Sequence, residues 1–83
     1  MRIDTSHIDK IIIKIARDPI GIALQKKIAQ IARMSPADIE HLKNLKGSMS
    51  HLKRVHVGHF ILTFRVERDV IFFEAFTHHD DAY

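Results

Sequence analysis

The chain has 83 residues, of which 13 are Lys or Arg, 10 are Asp or Glu and 7 are His, and its net charge is +3 at pH 7. This length leaves room for one domain, residues 1–83. The absence of Cys excludes disulfides, thiolate nucleophiles and zinc sites built on Cys. The apolar stretches are too short to cross a bilayer and the first residues do not start a signal peptide, so we expect a cytoplasmic protein with no membrane contact.

Positive charge is concentrated in the first two thirds of the chain. Residues 1–34 carry a charge of +4, residues 35–58 carry +2 and residues 59–83 carry −3. No acid occurs between Glu40 and Glu67, whereas this segment holds five Lys or Arg and four His. Such a segment is typical of a surface that binds a polyanion such as nucleic acid. A basic face that is only solvated is the alternative.

Helical periodicity predicts helices in the first half of the chain. Ser6 is expected to cap a first amphipathic helix over residues 7–17. Pro19 suits the first turn of a second helix, so the two form a helical hairpin or one helix kinked at the proline. A third short helix is expected from Pro36 to about Leu45, and Gly47 stops it.

After Gly47 the apolar period changes to two, which predicts strands over residues 52–57, 59–67 and 70–77. Hairpin-length connections make these strands an antiparallel meander. The predicted fold class is therefore α+β, an N-terminal helical hairpin packed on a small antiparallel β-sheet. The alternation directs a polar and cationic set of side chains away from the helices, including Arg54, His56 and Arg65.

Three segments resemble the RelE/ParE family of type II toxins: Leu45-Lys46-Gly47, Arg54-Val55-His56-Val57-Gly58-His59-Phe60 and His78-His79-Asp80-Asp81-Ala82-Tyr83. The resemblance covers residues 45–83, and the helices agree in kind only. It implies a toxin that cuts mRNA on the ribosome without a metal or cofactor, and that is held inactive by a cognate antitoxin. Part of the apolar stripe on the helices would then form a groove for an antitoxin helix, although the stripe is expected mainly in the core. A sister, ParE-like branch inhibits DNA gyrase and cuts nothing.

The resemblance implies a catalytic set of four residues. RNA cleavage by an internal 2′-hydroxyl needs a base, an acid and cations that hold the phosphate. Arg54 is the permanent cation for the phosphate, and His56 and His79 are the candidates for base or acid. Tyr83 is expected to stack on a base or to donate a proton.

Two positions depart from the family pattern. Ile61 stands where RNA-cleaving members commonly have Arg, and Asp80 stands where a basic residue is frequent. The departures imply weakened cleavage, or a relative that no longer cleaves. Further contacts to RNA are expected from a basic set: Lys43, Lys46, Lys53, Arg65 and His78.

Several of these residues also have a structural interpretation. Lys53 and Arg54 would solvate an edge strand, and His59 would be a turn residue. His78 would form a structural hydrogen bond near the strand end, and Tyr83 would fray at the terminus.

The histidines also have the chemistry of metal ligands. His56, His59, His78 and His79, with the adjacent acids, include the ligand types that zinc prefers. Adjacent His78 and His79 point to opposite faces if the strand continues through them, so they would not reach one ion. We therefore expect no metal site.

Overall fold

A computed structural model describes residues 1–81. These residues form an α+β fold with elements β1 (Arg2–Asp4), α1 (Asp9–Lys14), α2 (Pro19–Ala32), α3 (Pro36–Glu40), β2 (Lys53–Val57), β3 (Phe60–Glu67) and β4 (Val70–His78). Two short 3-10 turns, Gly47–Met49 and His79–Asp81, precede β2 and follow β4. Within the described residues, none of the helices has the length and apolar character needed to span a membrane.

The four strands form one mixed sheet in the order β1-β4-β3-β2. The β2-β3-β4 meander is antiparallel, as predicted, with strand bounds within one residue of those expected. The prediction of a purely antiparallel sheet is wrong, because β1 pairs with β4 in parallel. A strand of three residues is too short for an apolar period to be recognised, so the sequence shows only an extended start.

The start of α1 differs from the prediction. The Ser6 hydroxyl and backbone N–H both donate to Asp4 Oδ1, at 2.6 and 2.9 Å. Ser6 is not the helix cap, because the helix begins at Asp9 and Ile8 holds the cap position without a side-chain hydrogen bond. The helix spans Asp9–Lys14 rather than residues 7–17.

Pro19 occupies the first turn of α2, as predicted. The preceding chain packs closely on this turn at Gly21, which is buried. A Cβ at Gly21 would lie 1.7 Å from the carbonyl oxygen of Ile15, so this contact requires glycine.

The third helix begins as predicted but ends early. Ser35 Oγ accepts a hydrogen bond of 3.1 Å from the Asp38 N–H, which caps the helix. It ends at Glu40 instead of residue 45. The following backbone bonds to the start of β2 instead: Arg54 N–H donates to the Lys43 carbonyl at 2.9 Å.

The apolar face of α2 packs on one face of the sheet, which we call the helix-covered face. Phe64 and Phe73, at the centre of this face, are fully buried. The core cluster joins α2, α3 and the N-cap residue of α1 to the meander and comprises Ile8, Leu24, Ile28, Ile31, Ile39, Val57, Leu62, Phe64, Ile71, Phe73 and Phe76. The sheet is thereby fixed against the helices, and candidate functional residues lie on its other face and at its ends.

Candidate functional site

The other face of the meander, which we call the second face, carries Arg54 and His56. The strand register aligns two rows across this face: Arg54, Thr63, Ala75 and His56, Ile61, Thr77. Arg54 and His56 lie two residues apart on β2, an edge strand, so their side chains leave the sheet on the same side. Arg54 is half-buried and His56 is exposed.

The centre of the second face is closed to solvent. Ile61 is 1% exposed and Thr63 is 8% exposed. The expectation that this face of the sheet is polar and cationic is therefore wrong at the centre of the face, where the apolar residue Ile61 is buried. The buried Ile61 leaves His56, at the β2 edge, as the exposed polar residue of its row.

Three histidines meet at the end of the sheet where β2 turns into β3. His59 lies in that turn, His78 is the last residue of β4 and His79 begins the following 3-10 turn. The ring centroids of His78 and His79 are 4.6 Å apart, and the His59 ring lies 6.4 and 6.1 Å from them. His56 lies near the same end, two residues before Gly58.

Hydrogen bonds orient His79. Its Nδ1 lies 3.0 Å from the carbonyl oxygen of His59, and its backbone N–H donates to the same oxygen at 2.9 Å. Its Nε2 lies 2.9 Å from Asp80 Oδ1. The Asp80 N–H donates to His78 Nδ1 at 3.3 Å, a local bond of the kind expected for a structural role of His78.

The prediction that His78 and His79 point to opposite faces applies only if the strand continues through both residues. That condition is not met, because β4 ends at His78. The 3-10 turn that follows brings the two rings within contact distance of each other.

The candidate catalytic residues fall into two groups. Arg54 and His56 lie together on β2, whereas His79 follows β4, and β3 separates these strands. Two strand spacings amount to roughly 10 Å between the backbones. Tyr83 lies outside the described residues.

Lys53 is not a surface cation. It is 8% exposed, and its Nζ donates to the Leu42 carbonyl at 3.2 Å and to Asn44 Oδ1 at 3.0 Å. The interpretation of Lys53 as a solvated edge residue is therefore wrong, and its charge is directed into the protein rather than toward RNA. Lys43 and Lys46, by contrast, are exposed.

Arg65 is half-buried and paired with two carboxylates. Its Nε donates to Glu74 Oε1 at 2.6 Å, and its Nη1 forms an ion pair with Glu67. The guanidinium carbon lies 4.1 Å from the centre of the Phe72 ring. The hydrogen bond to Glu74 raises the pKa of Arg65 above its ordinary value, and the two acids offset the charge that an RNA phosphate would meet.

Glu74 reaches Arg65 because of an irregularity in β4. Thr63 pairs with Ala75 and Phe64 pairs with Phe73, so Glu74 is an extra residue between two aligned pairs. Such a bulge redirects a side chain. Strict alternation of the sequence does not indicate it, and sequence reasoning therefore missed this ion pair.

Comparison with known proteins finds two relatives. A protein of Methanosarcina mazei described as "Uncharacterized protein" is 46% identical over 44 residues, which cover 49% of this chain and 51% of the relative, so the match spans about half the length of each. A protein of Methanocaldococcus jannaschii named "Putative toxin RelE4" is 35% identical over 81 residues, which cover 92% of this chain and 82% of that protein. No family model matches the chain. No solved structure matches it.

Proposed function

The chain belongs to the RelE toxin family, and from this membership we propose that residues 1–83 form one toxin domain of a toxin–antitoxin system. Its proposed activity is metal-independent, ribosome-dependent cleavage of mRNA in the cytoplasm. A cognate antitoxin is the proposed partner that keeps it inactive.

The observation that supports cleavage is the position of His56 and of the histidine cluster at one end of the sheet, with Arg54 on the same face of β2 as His56. Arg54 and His56 share the second face of an edge strand. His79 and its neighbours stand at the same end, beyond β3. A permanent cation and two imidazoles are the kinds of group that cleavage by a 2′-hydroxyl requires.

Each residue has a separate role in the proposed reaction. Arg54 engages the scissile phosphate through its planar guanidinium, which binds two oxygens at once. One of His56 and His79 takes the proton from the 2′-hydroxyl, and the other gives a proton to the departing 5′ oxygen. Tyr83 stacks on a base or assists as a proton donor. Lys43, Lys46 and His78 supply further contacts to RNA.

The separation of His56 from His79 is compatible with this reaction. In a displacement at phosphorus, the attacking 2′ oxygen and the leaving 5′ oxygen lie on opposite sides of the phosphorus atom. The base and the acid must each reach within hydrogen-bond distance of a different oxygen. Groups on strands separated by β3 can therefore act on the two sides of one phosphate placed between them.

The antitoxin partner is supported by exposed apolar side chains on the helices. Ile13 on α1 is 76% exposed and Ile22 on α2 is 46% exposed. Large aliphatic side chains in such positions are suited to contact an amphipathic helix of another protein. We propose that the antitoxin covers this part of the helical layer.

Incubation of the purified chain with programmed ribosomes tests the proposed activity, with primer extension to map new mRNA 5′ ends. We expect discrete cuts in the ribosomal A site. A His56→Ala, His79→Ala double variant should lose at least about 100-fold in rate, since each proton-transfer group contributes 10²–10⁴-fold. His51→Ala, at an exposed histidine before β2, is the matched control and should cut normally. Equal cutting by the double variant would remove both histidines from the mechanism, and equal cutting by Arg54→Ala would remove that cation.

A noncatalytic inhibitor of DNA gyrase, as in the ParE-like branch, is the second candidate. Two observations favour it: a buried Ile61 stands where the family resemblance implies Arg for cleavage, and Arg65 is paired with two acids. Both features reduce the positive charge available to a phosphorane. Intact mRNA together with loss of supercoiling by purified gyrase would support this candidate, whereas cut mRNA with unaffected gyrase would exclude it.

A further inference from the structure

His78, His79 and Asp80 form a compact group of potential metal ligands at the end of β4. One ligand atom from each residue lies within 4.8 Å of the others. Among the described residues 1–81, no other set of three His, Cys, Asp or Glu side chains comes together in this way. The half-buried His78 and the exposed His79 and Asp80 leave the group accessible to an ion from solution.

We propose that these three residues bind one divalent transition-metal ion of the Zn²⁺ class, with water in the remaining coordination positions. The proposal does not rest on the nuclease activity proposed above, and an ion on His79 Nε2 would keep that nitrogen from transferring a proton in the cleavage reaction. It also replaces the sequence-based expectation of no metal site, which depended on the assumption that β4 continues through His79.

The hydrogen bonds of His79 prepare its Nε2 as a ligand. A backbone carbonyl oxygen only accepts, so the 3.0 Å bond between His79 Nδ1 and the His59 carbonyl requires the proton on Nδ1. In the neutral ring, Nε2 then carries a lone pair. Metal-ligating histidines are commonly oriented by this kind of bond from the other ring nitrogen.

His79 Nε2 faces the Asp80 carboxylate. Oδ1 of Asp80 lies 2.9 Å from this nitrogen, and Oδ2 lies 3.5 Å from His78 Nδ1. A positive charge holds these atoms together, either as a proton on Nε2 or as a bound cation. A metal ion bound by all three residues provides that charge in one place.

The distances suit a small ion bound by nitrogen and oxygen. Bonds of about 2.0–2.1 Å in a tetrahedral site place neighbouring ligand atoms roughly 3.3 Å apart. The separations of 2.9 Å from His79 Nε2 to Asp80 Oδ1 and of 3.5 Å from His78 Nδ1 to Asp80 Oδ2 are near this value. A metal ion bound to His78 Nδ1 would displace the hydrogen bond that this nitrogen accepts from the Asp80 N–H. That hydrogen bond is weak, because its length of 3.3 Å is long. Imidazole ligands favour Zn²⁺, Ni²⁺ or Cu²⁺ over Mg²⁺.

Isothermal titration of the untagged, chelator-treated full chain with ZnCl₂ and with MgCl₂ tests the site. We expect one Zn²⁺ per chain and no heat from Mg²⁺. His79→Gln and Asp80→Asn should each weaken Zn²⁺ binding at least about tenfold, since even residues behind the ligands contribute 10–100-fold. His51→Gln is the control for His79→Gln, at an exposed position remote from the site, and Asp81→Asn is the control for Asp80→Asn, at the exposed neighbouring position. Both controls should bind Zn²⁺ normally.

A second measurement needs no variant. Substoichiometric Co²⁺, added to the ¹⁵N-labelled chain, should first broaden the amide NMR signals of His59 and of residues 78–80. Absence of Zn²⁺ binding, unchanged affinity in both site variants, or broadening that begins elsewhere would each overturn the proposal. Circular dichroism of the variants separates a lost ligand from a lost fold.

Discussion

Replacement of Lys53 by Met tests whether this ammonium group stabilises the fold or remains available to a nucleic acid. Met keeps an unbranched stem, so the change removes the charge and the two hydrogen bonds from Nζ with little loss of packing. Hydrogen bonds made by a charged group contribute about 1.5–3 kcal/mol each. Water can partly replace them because Asn44 is exposed.

The expected loss in the free energy of unfolding is therefore about 2 kcal/mol for the pair of bonds. A domain of 83 residues has a total stability of roughly 4–12 kcal/mol, so the change is readily measured. In a small domain it corresponds to a fall in Tm on the order of 10 °C. Urea unfolding followed by circular dichroism gives the free energy directly.

RNA binding provides the second part of this test. The logarithm of the binding constant falls with the logarithm of salt concentration by about 0.7 for each phosphate neutralised on a single strand. Lys53→Met should leave this slope unchanged at a temperature where the variant is folded. Lys46→Met is the control at an exposed position: its stability should change by less than about 0.5 kcal/mol, while its salt slope falls.

A Lys53→Met variant that keeps its stability within about 0.5 kcal/mol would refute the stabilising role of Lys53. A fall of about 0.7 in its salt slope would equally place Lys53 on the RNA surface. The stability result does not depend on RNA binding, so it remains informative if the chain proves to be a gyrase inhibitor.

Two further predictions concern the N-terminal half. The hydrogen bond from the Ser6 hydroxyl, followed in size by the one from the Ser6 N–H, lowers the pKa of Asp4. The stabilisation of the fold by ionised Asp4 is complete above the unfolded pKa of about 3.9. It is lost as the pH falls through the lower pKa of the folded state. Asp4→Asn should therefore lower Tm at pH 7 and reduce the acid-induced fall in Tm below pH 4, and parallel Tm curves for the two proteins would contradict this. Gly21→Ala should destabilise the protein by on the order of 2 kcal/mol in urea unfolding, because the alanine Cβ would lie 1.7 Å from the Ile15 carbonyl oxygen. Replacement of Gly by Ala inside a helix usually stabilises it by up to about 1 kcal/mol. Such a gain here would show that the contact with Ile15 relaxes.

Elements with a repeated period or a local signal could be predicted from the sequence. The start of α2 at Pro19 and the Ser35 cap of α3 depend on residues within one turn, and both are found. The meander follows from alternation over long strands. The prediction of Ser6 as a cap is wrong because the helix begins at Asp9, and the Ser6 hydroxyl and N–H donate to Asp4 outside the helix.

The candidate site could be predicted only in part. Alternation correctly places the side chains of Arg54 and His56 on one side of β2. It also places Lys53 on the other side, with Val55 and Val57, so the sequence itself indicated that Lys53 faces the helices. The pairing of Arg65 with Glu74 depends on a bulge, which alternation does not reveal. The approach of His78 and His79 depends on the residue at which β4 ends, and strand ends are poorly specified by composition.

The parallel pairing of β1 with β4 has a consequence for the order of folding. Arg2 pairs with Val70, so this contact closes a loop that contains nearly the whole chain, whereas the hairpins of the meander close loops of a few residues. Loop-closure entropy makes the long contact costlier by about 2 kcal/mol. The β2-β3-β4 meander should therefore assemble first during synthesis, and β1 should join the sheet last and leave it first when the protein unfolds.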